Sequence, residues 1–132
     1  MPNLPVNAPS LIDIDAIAQA ALGSIPDELK RHARDVVVRV DEFADDDTLD
    51  DLGLESPFDL MGLYRGVALP RKSVSDTGRD VDMIFLYRRP ILDYWCESGD
   101  DLADVVRHVL IHEIGHHFGF SDDDMERIEN QL

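Results

Sequence analysis

Two histidines and a glutamate stand together in the string His112-Glu113-Ile114-Gly115-His116. If the string is helical, the two imidazoles emerge one turn apart on one face, close enough to bind a single tetrahedral ion. Glu113 is turned by roughly 100° from His112, so it flanks such an ion without occupying a ligand position. Two neutral nitrogen ligands with a carboxylate beside an open coordination position suit metal-assisted hydrolysis, because the carboxylate can accept a proton from a metal-activated water. Past Gly119, the run Phe120-Ser121-Asp122-Asp123-Asp124 offers an anionic third ligand where the chain leaving the helix can turn back. Asp122 is the expected ligand, with Asp123, Asp124 and Glu126 as substitutes, and one Zn2+ is the expected ion.

The helix that must carry this set runs over Leu102 to Phe118, where apolar residues wrap much of the surface and acids at Asp100 and Asp101 face its positive end. Gly119 supplies its stop, and a last helix is expected from Asp123 to Asn130. Upstream, Leu11, Ile14, Ile17, Ala18, Ala21 and Leu22 recur at helical spacing behind a possible Ser10 cap, ending at Gly23. A short helix is expected from Pro26 to about Ala33. Val36 to Val40 reads as a largely buried strand, and Leu60 to Leu69 and Val81 to Tyr87 as two strands in a long hairpin or side by side. The turn-prone run Arg71 to Asp80 separates them. Pro90 opens a short helix through Trp95 that Ser98-Gly99 breaks. The first nine residues, with three prolines, read as a loose arm ahead of one domain over residues 10–132.

Charge and composition remove several function classes. A net charge of −16 argues against nucleic-acid binding, since phosphate contacts need Lys and Arg. No stretch of the sequence is apolar enough to span a bilayer. The opening residues lack a basic n-region, so a cytoplasmic location is expected. Acids at Asp41, Glu42, Asp45, Asp46, Asp47, Asp50, Asp51 and Glu55 read as a solvated loop; Leu49 at a ligand position and Gly53 out of register speak against a calcium loop. The single cysteine, Cys96, is expected to be a buried structural thiol rather than a nucleophile, as no recognised catalytic signature surrounds it.

The full string His112-Glu113-x-x-His116-x-x-Gly119-x-x-Asp122 resembles the extended zinc motif of the metzincin type, with aspartate where that class usually has a third histidine. The chain resembles the minimal bacterial zincin-like metallopeptidases, small single-domain proteins. The likeness takes in Ser24 to Leu29, Leu63 to Val67, Leu86 to Leu92 and the terminal helix, covering about residues 10–130. It implies an α+β zincin-like fold, a small mixed sheet packed against helices with the zinc helix near the C-terminus, and peptidase activity on a peptide or small protein. Larger metzincins carry a methionine-bearing turn well downstream, whereas ten residues follow Asp122 here. Met125 is not assigned that role, and a shallow substrate cleft is expected.

In this reading His112, His116 and Asp122 hold zinc and Glu113 is the general base. Tyr64, Tyr87, Arg88 and Arg89 are candidate oxyanion donors by chemistry alone. Leu63 to Val67 is a candidate sheet edge for strand addition by a peptide. His108, one turn before His112, is expected to be a solvated histidine on a polar face with Asp101 and Asp104, His117 to point away from the ligand pair, and His32 to be ordinary. A zinc-stabilised acidic interaction module without catalysis is the rival from another class. Glu113 tells against it, because a structural site closes all four positions with protein ligands. Hydrolysis of a non-peptide amide or ester shares the same metal chemistry.

Overall fold

The hydrophobic pattern resolves into a three-stranded sheet with its two longest helices on one face and a short helix on the other. The structure, a computed structural model, describes residues 7–68 and 80–132. In chain order these form α1 (Leu11–Ser24), α2 (Asp27–Lys30), β1 (Val37–Asp41), α3 (Asp46–Asp51), a 3-10 turn (Pro57–Asp59), β2 (Gly62–Ala68), β3 (Asp80–Tyr87), α4 (Arg88–Ser98), α5 (Leu102–His117) and α6 (Asp122–Glu129). The sheet order is β1-β3-β2, with β1 parallel and β2 antiparallel to β3. The hairpin reading of the two longer segments therefore holds, in the register Leu63 to Phe85 and Tyr64 to Ile84.

Strand alternation sends Tyr64, Ile84 and Leu86 to one face, where they meet Ile14 and Ala18 of α1 and Val106, Leu110 and Ile114 of α5. The opposite face carries Leu63, Phe85 and Tyr87, covered by Ala44 and Leu49. α1 is fixed by a capping box between Ser10 and Asp13. α5 lies across β2 at close range because Gly62 has no side chain: a Cβ there would stand 2.6 Å from Val109 Cγ1 and 3.2 Å from the Phe85 carbonyl oxygen.

Four expectations need correcting. The acidic stretch is not simply a loop, since Asp45 caps a helical turn through Thr48 N–H and buries Thr48 and Leu49. β1 is less buried than its β-branched run suggests, with Val37 47% exposed, because it is an edge strand. The helix after Pro26 stops at Lys30. Cys96 is exposed on α4, whose buried residues are Pro90 and Ile91, so the thiol is on the outward side. Residues 1–6 of the expected arm, Leu69 and nearly all of the Arg71 to Asp80 run lie outside the described residues. Pro9 is tied down, its carbonyl accepting from Arg88 Nε at 2.6 Å. No helix among the described residues is long and apolar enough to cross a membrane.

Candidate metal centre

The end of α5 is built to turn the chain back over its own face. Gly119 adopts φ 81°, its N–H donates to the His116 carbonyl at 3.2 Å, and the Phe120 N–H donates to the Gly115 carbonyl at 2.8 Å. These paired bonds are a Schellman ending, which needs a residue comfortable in the left-handed region. Ser121 then caps α6, its hydroxyl accepting from Asp124 N–H while the Asp124 carboxylate accepts from Ser121 N–H. Met125 and Ile128 of α6 are fully buried, and the Met125 Sδ and Cγ atoms fill the space that a Cβ on Gly115 would need. The glycine inside the histidine motif thus lets α6 dock against α5.

That docking sets a row of imidazoles on α5 beside carboxylates on α6. His112 and His116 rings lie 5.8 Å apart between centroids and nearly perpendicular, at 81°. His116 Nε2 is 3.5 Å from Asp122 Oδ1. Along this seam His116 thus stands beside both His112 and Asp122, but the ligand atoms of the three do not all come within 4.8 Å of one another, whereas those of His108, His112 and Glu129 do. Asp122 is also the most open, its side chain 88% exposed as the first residue of α6. Among the substitutes, Asp124 is engaged in the Ser121 capping box, and Asp123 and Glu126 are exposed.

Glu129 is a candidate ligand that sequence reasoning missed. It sits two helical turns after Asp122, on the same side of α6. Its Oε1 is 2.8 Å from His112 Nε2, and its Oε2 is 3.0 Å from His108 Nδ1. Oε1 is buried, with no hydrogen-bond partner assigned to it among the described residues, so its approach to His112 is an ion pair when that ring is protonated. His108, expected to be merely solvated, is half exposed but has its ring 4.0 Å from that of His112. Burial holds the His112 imidazole below the usual histidine range, and the neighbouring His108 acts in the same direction.

Glu113 points to the sheet rather than along the seam. Its carboxylate accepts from the Tyr64 backbone N–H, and burial raises its pKa above the usual carboxylate range. The β2–β3 alternation, with Tyr87 N–H donating to the Met61 carbonyl, turns the N–H groups of Gly62, Tyr64 and Gly66 away from β3 toward the open edge of β2. Among the oxyanion candidates, the Tyr64 hydroxyl donates to Asp82 at 3.0 Å and its ring stacks on His117 at 4.0 Å. Tyr87 is buried in the opposite-face cluster with its pKa pushed up to about 12, chiefly by burial. Arg88 pairs with Glu42, and Arg89 lies over the Phe43 ring. His117 points toward Tyr64, away from Asp122 and Glu129, and His32 packs against Phe118 and Phe120.

The donor set suits zinc. Neutral imidazoles and carboxylates are its usual ligands alongside thiolates, and an orphaned buried carboxylate oxygen aimed at an imidazole is a group that a cation would satisfy. A family model described as zincin-like metallopeptidase matches residues 33–132, and the chain belongs to that family. No curated protein matches the chain closely enough to count as a relative.

Proposed function

We propose that this zincin-like metallopeptidase hydrolyses peptide bonds in an extended peptide or small protein, with His112, His116 and Asp122 holding one zinc ion and Glu113 as general base. Glu113 carries the reading. A metal-stabilised module has no use for a carboxylate held beside, rather than within, the ligand seam, and this one is fixed by the Tyr64 N–H and raised in pKa by burial. Both features suit a base that exchanges a proton with a bound water.

Bound zinc supplies a Lewis acid that polarises a carbonyl and acidifies a water. The protein's part is to hold and move protons and to align the substrate. Glu113 takes a proton onto its carboxylate and later delivers it to the leaving amine, while the Tyr64 N–H keeps that carboxylate from swinging into the seam. The open edge of β2 presents backbone groups on either side of Tyr64, at Gly62 and Gly66, to which a peptide can add as a strand. Cys96, a free and exposed thiol, supports a reducing, cytoplasmic setting.

The test is zinc content and turnover of a mixed peptide library for the full chain and for His112→Ala, His116→Ala, Asp122→Ala and Glu113→Gln. Zinc lost in His112→Ala, turnover lost in His116→Ala and Asp122→Ala, and turnover lost in Glu113→Gln with zinc retained, is the expected result. Equal zinc in wild type and His112→Ala overturns the assignment.

A further inference from the structure

The histidine row on α5 is longer than one ion needs. His108, His112 and His116 recur every four residues, and α6 sets Glu129 against the first two and Asp122 against the last. Ligand atoms of His108, His112 and Glu129 all lie within 4.8 Å of one another. Among the described residues no other set closes to that range, and this upper set shares His112 with the proposed catalytic set below it, His112, His116 and Asp122.

The upper set carries a mark of its own. Glu129 Oε1 is buried without a hydrogen-bond partner among the described residues, although it faces His112 Nε2 at 2.8 Å. A buried carboxylate oxygen left unpaired costs stability unless something positive satisfies it. His108 and Glu129 also line a polar surface depression with Tyr94, Asp100, Asp104 and Arg107, through which an ion could reach them. Glu113 does not belong to it, being turned to Tyr64 on the sheet.

We propose that His108, His112 and Glu129 form a second site for a transition-metal dication such as zinc, one that competes with the catalytic set for His112. His112 Nε2, the nitrogen facing Glu129, can serve one ion at a time, so loading the upper site withdraws a ligand from the lower one and separates the ion from Glu113. A chain with its ion in the upper site is therefore idle, and the balance of affinity between the two sites sets the active fraction. The inference rests on the reading of His112 as a metal ligand but goes beyond it.

The experiment is a Co2+ titration of the full-length chain, followed by its visible absorption, in His116→Ala. That variant breaks the lower set and leaves the upper one whole. It is expected to bind one equivalent of Co2+, and that binding is expected to vanish in His116→Ala/His108→Ala and in His116→Ala/Glu129→Gln. Circular dichroism checks that each variant is folded; Glu129→Gln keeps the side-chain shape and His108 is half exposed. In a parallel assay at saturating Zn2+, His108→Ala, in which only the catalytic set remains, is expected to turn over faster than wild type, and equal or slower turnover overturns the competition. No Co2+ binding by folded His116→Ala, or binding indifferent to His108 and Glu129, overturns the second site. The catalytic reading fails separately, through unchanged zinc content in His112→Ala.

Discussion

Gly62 of β2 and Val109 of α5 meet so closely that a Cβ on the glycine would stand 2.6 Å from Val109 Cγ1. The same Cβ would be 3.5 Å from Glu113 Cγ, so this contact sets the distance between the sheet edge and the base. Val109 is β-branched and stiff at χ1, and the Phe85 carbonyl blocks the other side. Gly62→Ala is expected to destabilise the fold by about 1–3 kcal/mol, as overpacking does. By lifting α5 off β2 it also loosens the Tyr64 N–H from Glu113. Urea unfolding and peptide turnover of the folded variant check both parts: activity should fall more than zinc content.

Met125 is the counterpart on the other side of the helix. It is fully buried against Gly115 and ties α6, with Asp122 and Glu129, to the histidine row. Met125→Ala is expected to cost about 2–5 kcal/mol, and the volume-conserving Met125→Leu less than about 1.5 kcal/mol. Zinc affinity should weaken in the alanine variant, because α6 is no longer held in register. Thermal unfolding and a zinc competition titration give the two readings.

A pH dependence follows from α2 and α6. Arg127 donates to Glu28 with both guanidinium nitrogens, at 2.9 and 2.6 Å, which holds the Glu28 carboxyl below the usual carboxylate range. A depressed acid contributes stability above its unfolded pKa, near ~4.3 for glutamate, and loses it as pH falls through its folded value. Glu28→Gln should therefore lower Tm at neutral pH, by a modest amount because the pair is exposed. The gap between the two proteins should close progressively below about pH 4. A Tm series from neutral to acid pH, at low salt, checks the sign.

The α5 helix, its glycine stop, the α6 helix and the β2–β3 hairpin were legible in the sequence because their apolar periods run long enough to outweigh local noise. α3 was not, since its acids look like a solvated loop until Asp45 is seen as a cap with Thr48 and Leu49 buried behind it. Glu129 escaped for a different reason. It is seventeen residues from His112 and meets it only through the packing of two helices. A signal was present: Met125 and Ile128 mark the buried side of α6, and Asp122 and Glu129 are seven apart on one flank. His108 is exposed on a polar face as expected, but a helical wheel of α5 alone does not show that the docked α6 brings Glu129 to it. Cys96 was assigned by residue-type preference, which a single position can defy.

The central claim is that Glu113 is a base and not a ligand. The measurement that tests it most directly is turnover of a mixed peptide library by wild type and Glu113→Gln, with zinc measured in the same samples. The account predicts equal zinc in both and a loss of turnover of roughly 10²–10⁴-fold, the usual worth of general acid–base catalysis. Undiminished turnover in Glu113→Gln at full zinc occupancy would contradict it.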